Sequence, residues 1–179
     1  RARKLAVRVR AGFAESIAVA RQEAARRDHI IPQLRRASRP QPLVLRMANL
    51  NTIVKESVAF LAVEIQNRDV LVELELDEAL PPLELDADQI KQAIYNIIRN
   101  AFQAMKSGGI LRIRSRVDEV HAILAISDTG GGIDPENISK IFEPYFTTKT
   151  GGSGLGLLIV RRIIRSHGGE MMIASTPMQ

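Results

Sequence analysis

The chain has 179 residues, 45% of them hydrophobic, with no Trp and with five Phe and two Tyr as its aromatics. One full domain plus a smaller element is therefore expected, around a mainly aliphatic core. The absence of Cys excludes disulfides, thiolate metal sites and a Cys nucleophile, and suits a reducing compartment. No apolar run approaches the roughly 20 residues a membrane-spanning helix needs, and no signal-peptide pattern opens the sequence.

The net charge of +5 is unevenly spread. Residues 1–46 carry 12 Lys/Arg against 3 Asp/Glu, whereas residues 47–179 carry 13 against 17. A basic arm of this kind suits a solvated helix face as readily as an acidic protein or an anionic lipid surface. Direct nucleic-acid binding is not expected, because the arm holds one aromatic, Phe13, and no recognisable reading motif. A first residue of Arg rather than Met reads as a fragment of something longer.

In chain order, Leu5, Val9, Phe13, Ile17, Ala20, Ala24, Ile31 and Leu34 recur at steps of three or four. They predict an amphipathic helix with a near-heptad seam, which wants a partner helix. Pro32 kinks the pattern, and Ser38-Arg-Pro-Gln-Pro42 ends it. A boundary is expected within residues 38–48, giving a first unit of 1–42 and a second of 43–179. Asn49 or Asn51 then caps a helix burying Ile53, Val54, Val58, Leu61 and Ile65. Val70, Val72, Leu74 and Leu76 alternate with polar neighbours as a strand, and Pro81-Pro82 breaks the chain. Asp86 or Asp88 caps a helix whose Ile90, Ile94, Ile97, Ala101 and Met105 face the core, closed by Ser107-Gly-Gly109. Strands follow at 110–117, with Arg112, Arg114 and Arg116 outward, and at 121–127. A helix at 155–166 and a strand at 170–175 complete an α/β sandwich with helices on one sheet face.

Four short motifs lie between Tyr95 and Gly156: Asn96-Ile-Ile-Arg-Asn100, Asp128-Thr-Gly-Gly-Gly132, Phe142-Glu-Pro-Tyr-Phe146 and Gly152-Ser-Gly-Leu-Gly156. Each alone is weak; in this order they read as one ATP site. Asn96 and Asn100 project from one helix face, and an amide oxygen is a fair ligand for Mg²⁺. Gln103, one turn on, reaches a phosphate oxygen or a water, while Arg99 faces solvent. Asp128, at a strand end, accepts hydrogen bonds only, so it suits the adenine exocyclic amine and mismatches the guanine carbonyl. Gly130 and Gly132 let the main chain approach the base. Gly152, Gly154, Leu155 and Gly156 open a helix, where free N–H groups make an anion site. No Lys-Ser/Thr follows these glycines, so this is not a P-loop; the Ser/Thr kinase signatures are absent too.

The combination resembles the catalytic, ATP-binding domain of sensor histidine kinases, within the superfamily shared with gyrase B, Hsp90 and MutL. It covers about residues 49–175, and Ile141–Lys149 and His167-Gly-Gly169 are most similar to the nitrogen-regulation type. The resemblance implies a two-layer sandwich of a mixed sheet with helices on one face, the Bergerat-type ATP fold, preceded by a long helix from a dimerisation hairpin. It implies ATP and Mg²⁺ as cofactors, with Asn100 the metal ligand and Asn96 standing where related ATPases place a water-activating Glu. An Asn cannot act as a general base, so the γ-phosphate is kept for another acceptor. Asp128 becomes the adenine anchor, helped by Thr129. Phe142 to Phe146 and the threonines after them belong to a lid over the nucleotide, with Phe146 and Thr148 among its binding residues. The lid is short, Thr150 to Gly152 only before the second Gly motif, and Lys149 contacts the γ-phosphate as a point charge.

The family's acceptor is a His in a His-Glu-x-x-Asn-Pro-like motif, and none of His29, His121 or His167 stands in one. The acceptor is expected outside this chain, upstream of Arg1. After Ser175-Thr-Pro177 the family's Gly-Thr-x-Phe turn and last strand are missing, which reads as truncation. The partners implied are a second protomer through the helix hairpin and a response-regulator receiver, in the cytoplasm or in the cytoplasmic portion of a membrane-bound sensor. Two other readings stay open: a nucleotide-binding regulatory domain without kinase activity, and an anti-sigma-factor-type Ser kinase.

Overall fold

Helix α3, Ala87–Met105, is the spine of the domain. The computed structural model describes residues 42–105, 108–118, 120–149 and 152–176. The amphipathic helix expected over Leu5–Leu34, His29 and most of the Ser38–Pro42 stop lie outside the described residues, as does Ser107.

Asp86 starts α3: its Oδ1 accepts the Gln89 N–H at 3.1 Å, and its carbonyl accepts from Ile90, as an N-cap should. Ile90, Ala93, Ile94, Ile98, Ala101, Phe102 and Met105 are buried, a stripe of three- and four-residue steps. Ile97 was expected on this stripe but is half-buried; Ile98 and Phe102 fill the core instead. Each such side chain contributes about 1.5–3 kcal/mol on burial.

Strands β2 (Val70–Leu76), β4 (Gly109–Val117) and β5 (Ala122–Asp128) form one sheet in the order β2-β4-β5. β2 pairs parallel with β4, and β4 antiparallel with β5, so the sheet is mixed. Leu111, Ile113 and Ser115 of β4 are buried, while Arg112 and Arg114 face outward. In register with Glu73 and Glu75, they form cross-strand ion pairs at 2.5 and 2.7 Å. α3 lies against β4 and β5 and packs along α5, Gly156–Ser166. Ile159, Val160 and Ile163 are the buried residues of α5.

Three expectations need correction. The helix expected from Asn49 to Ile65 is two, α1 (Leu50–Phe60) and α2 (Ala62–Asn67), broken at Leu61, whose ψ is 6°. Asn49 is the cap, accepting from the Thr52 N–H at 3.1 Å. A small antiparallel pair, β1 (Arg46–Ala48) with β3 (Leu83–Leu85), was not foreseen, because three-residue strands carry no readable alternation. Residues 170–175 are not a strand. Half-buried and exposed residues do alternate there, but the segment is held by the Ile133 N–H donating to Ser175 Oγ at 2.7 Å rather than by a ladder. The remaining helix, α4 (Pro135–Ile138), is a single turn capped by Asp134.

Candidate active site

The expected site residues come from four elements, and most of them meet where the C-terminal half of α3 faces the start of α5. A Cβ added to Gly156 would lie 3.8 Å from Asn100 Nδ2 and 4.0 Å from its Oδ1. The Asn100 amide therefore borders the first turn of α5. Leu155 at the N-cap makes no side-chain capping bond and no acidic residue lies in the first turn; the Leu155 N–H itself donates to Ser153 Oγ at 3.4 Å. Uncapped N–H groups and the helix dipole both favour phosphate there.

Asn96, one turn before Asn100, is half-buried. Its Nδ2 is the one buried side-chain nitrogen or oxygen without a partner among the described residues. A buried unpaired donor costs about 1–3 kcal/mol, so an acceptor brought by a ligand fits here. The Asn100 amide at the start of α5, with the unpaired Asn96 amide one turn earlier on α3, fits a Mg²⁺–nucleotide. Asn100 Oδ1 is the oxygen able to hold the metal.

Lys149 enters from the other side. Its Nζ donates to the Asn100 main-chain carbonyl at 3.1 Å. Burial pushes the Lys149 ammonium below its usual range, and the Asp128 carboxylate acts in the opposite sense, so Asp128 lies within electrostatic reach of the ammonium that touches Asn100. The turn is fixed by Thr147 Oγ1, which accepts the Lys149 N–H at 3.1 Å.

Asp128 closes β5 and is exposed; its Oδ1 accepts the Gly130 N–H at 2.8 Å. Thr129 Oγ1 accepts the Ile110 N–H at 3.0 Å, so this hydroxyl is engaged by β4. Gly130 is pressed against α3, where a Cβ would sit 2.6 Å from that of Ala104. Gly132 has a φ of +75°. Gly154, with φ +66°, lies against the Tyr145 main chain so closely that any Cβ would overlap it. Tyr145 itself has a φ of +67°, and the two turns nest. Phe142 is held by the Arg161 guanidinium, 4.5 Å from its ring centroid.

Not every expected residue joins. Gln103 is exposed and makes no hydrogen bond to the cluster. Thr148 is exposed, and Phe146 and Gly152 are half-buried beside it. Arg99 is exposed, as expected, and pairs with Glu64 at 3.9 Å. Thr150 and Gly151 of the expected lid lie outside the described residues. The contacts of Arg161 and Asp86 were missed: a cation over an aromatic nineteen positions away and a cap that also binds β1's neighbour leave no sequence signature. A separate cleft of about 680 Å³, lined by Phe60, Val63, Glu64, Arg68 and Arg99 among others, contains none of the four motifs' expected ligands.

Residues 85–179 match the family of histidine kinase-, DNA gyrase B-, and HSP90-like ATPases. The chain belongs to this family. Among curated relatives, the sensor histidine kinase ZraS of Escherichia coli (strain K12) is 31% identical over 154 residues, covering 86% of this chain and 33% of that protein. The signal transduction histidine-protein kinase AtoS of the same organism is 37% identical over 149 residues, 83% of this chain and 24% of that one. The chain thus spans about a third or less of the length of these relatives. Among solved structures, the catalytic domain of histidine kinase ThkA superposes with a TM-score of 0.64 at 32% identity, covering 69% of this chain and 81% of that one. ThkA in complex with the response regulator protein TrrA gives 0.71 at 28% identity, covering 84% and 43%. The α/β fold with a mixed sheet is that of histidine kinase ATPase domains. Among the described residues, no helix is long and apolar enough to cross a membrane.

Proposed function

We propose that residues 43–179 are the ATP-binding catalytic core of a two-component sensor histidine kinase, and that residues 1–42 belong to its dimerisation hairpin. The observation that carries this is the Asn100 amide at the first turn of α5, 3.8 Å from where a Cβ on Gly156 would stand, with Lys149 donating to the Asn100 carbonyl. The relatives named above support it.

In this reading Asp128 takes the adenine amine through the carboxylate oxygen that Gly130 does not use. The Gly156 N–H, and that of Leu155 on leaving Ser153 Oγ, receive the phosphates. Asn100 Oδ1 holds Mg²⁺, which when bound neutralises phosphate charge. Lys149 leaves the Asn100 carbonyl for the γ-phosphate, restoring a solvated or ion-paired environment to its ammonium. Asn96 donates to a phosphate oxygen or an ordered water, and having no basic atom it leaves water unactivated, so the phosphoryl group is preserved for a His outside this chain. Phosphoryl transfer needs this positioning and charge neutralisation more than covalent help from the protein.

The partners in this proposal are a second protomer and a response-regulator receiver, whose acidic phosphorylation site suits the basic N-terminal arm. The TrrA complex of the related ThkA supports the latter. A cytoplasmic setting, with or without an anchored sensor beyond the chain, belongs to the same proposal.

Calorimetric titration with ATP and GTP, with and without Mg²⁺, on the wild type and Asp128→Asn tests the site. Binding that prefers ATP, tightens with Mg²⁺ and is lost in Asp128→Asn is expected. Labelled ATP mixed with a separate acceptor-helix fragment then tests transfer. Binding without labelling would favour a regulatory nucleotide-binding domain, and no binding would sink the reading.

A further inference from the structure

Helices α3 and α5 run antiparallel and are joined at both ends. At one end the Asn100 amide borders Gly156, within the candidate active site. At the other, the Asp86 main-chain N–H at the head of α3 donates to Nε2 of His167, the C-cap of α5, at 3.0 Å. His167 Nδ1 lies 2.8 Å from the Ile163 carbonyl, so Nδ1 carries the proton and Nε2 accepts. A rise of 1.5 Å per residue sets the two ends about 21 Å apart along α3.

Asp86 has a second attachment. Its Oδ2 accepts the Val44 N–H at 3.1 Å while its Oδ1 caps α3 through Gln89, and the residue is 8% exposed. Burial works against its charge, but the N–H groups of Val44, Gln89 and Asp88 outweigh that and hold the carboxyl below its usual range. One residue thus ties the head of α3, the tail of α5 and the segment leading into β1. Val44 itself is 56% exposed, so this bond, rather than side-chain packing, fixes it.

We propose that Asp86, with His167, is a positioning residue that carries the occupancy of the phosphate site at the start of α5 to the entering segment around Val44. The proposal rests on the nucleotide reading above. Packed helices answer ligands by small sliding movements. A phosphate drawing on the first turn of α5 moves that helix along α3 as a unit. Its C-cap then either stretches the His167–Asp86 bond or takes Asp86 with it, and Asp86 holds Val44. Nucleotide state at one end of the helix pair is read at the other as a change in how firmly residues 43–48 are held. Coupling of this kind needs an element that both sites bias; here it is the α3/α5 register.

The test is hydrogen–deuterium exchange on the whole 179-residue chain, with and without Mg²⁺–ATP, read over residues 43–48, alongside calorimetry. In the wild type, nucleotide is expected to change exchange there at least threefold. Val44→Pro removes the donated N–H and leaves Asp86 and both helices in place; affinity should stay within about threefold while the response at 45–48 disappears. Asp86→Asn keeps one oxygen for the cap and offers Val44 no second acceptor, with the same expected result. His167→Gln restores an acceptor where Nε2 stands and should retain the response, and His167→Met should lose it. A purely structural Asp86 would give equal exchange with and without nucleotide in every variant. Nucleotide binding with no response at 43–48, or a response that survives Val44→Pro, overturns the proposal alone. No nucleotide binding to the wild type overturns it together with the functional reading.

Discussion

The Lys149 ammonium donates to the main-chain carbonyl of Asn100 at 3.1 Å, so the cation expected to meet phosphate rests against the helix expected to hold the metal. Burial depresses its pKa, with Asp128 opposing. Folding therefore disfavours the charged form. The resulting penalty is full below the folded pKa and vanishes as pH rises through the ordinary value of 10.5. Lys149→Met should leave the free domain at least as stable as the wild type at pH 7, with the difference shrinking as pH approaches 10.5. It should also weaken ATP about tenfold, roughly 1.4 kcal/mol, and ADP much less. Unfolding curves against pH and paired titrations check both. Equal losses for ATP and ADP would remove Lys149 from the γ-phosphate.

Gly154 tests the phosphate loop. Its φ of +66° and the Tyr145 main chain beneath it exclude a side chain, and an L-residue in that region costs roughly 1–2 kcal/mol before any overlap. Gly154→Ala should lower stability by more than that and weaken nucleotide by over tenfold. Gly131→Ala is the control, since a Cβ there meets nothing within 4 Å; thermal unfolding should leave it within about 0.5 kcal/mol of wild type.

Much of this was legible in the sequence, because long elements repeat their pattern. The α3 stripe and the β2, β4 and β5 alternation each span seven residues or more. The Asn96–Asn100 spacing and the glycines of 152–156 are local, so chemistry could be read from adjacent positions. What escaped is non-local or short. The β1–β3 pair joins residues 46–48 to 83–85, and the break at Leu61 interrupts an apolar periodicity that runs on unbroken in the sequence. Gln103 follows Asn100 by nearly one turn and so lies on a neighbouring strip of the same helix face, exposed and without a contact to the cluster. Asp86 was legible as a cap but not as the acceptor for Val44, forty-two positions away.

Arg161 and Phe142 join α5 to the Phe142–Phe146 loop, with 4.5 Å between guanidinium and ring centroid. Such a contact is worth about 0.5–1 kcal/mol when partly exposed. A double-mutant cycle with Arg161→Met and Phe142→Leu should return a coupling of that size, and each single variant should raise KM for ATP more than it lowers kcat. Zero coupling would mean the loop is held by Ile141 and the Gly154–Tyr145 nest alone.

Acid should release the Asp86 clamp. The carboxyl sits below its ordinary value of 3.8 because the Val44, Gln89 and Asp88 N–H groups outweigh the cost of burial. A depressed folded pKa adds stability that is full above the unfolded value and is lost as pH falls through the folded one. Asp86→Asn should therefore be less stable than wild type at pH 7, with the gap closing below about pH 4. Urea titrations at pH 7, 4 and 3 read this directly, and a gap that widens on acidification would assign the effect to other carboxylates.

Asn96 separates function from stability. Its buried Nδ2 has no partner, an arrangement that costs the free domain about 1–3 kcal/mol. Asn96→Leu keeps the volume and removes the unpaired donor, so the nucleotide-free domain should match the wild type or gain about 1 kcal/mol. At a nucleotide concentration one hundred times the wild-type Kd, binding stabilises the wild type by about 2.7 kcal/mol. A tenfold weaker variant would gain only about 1.4 kcal/mol under the same conditions. Paired denaturation curves with and without Mg²⁺–ATP give both numbers from one protein. A free domain that loses stability while its response to ATP is unchanged would make the Asn96 amide part of the scaffold and leave Asn100 and Lys149 to carry the phosphates.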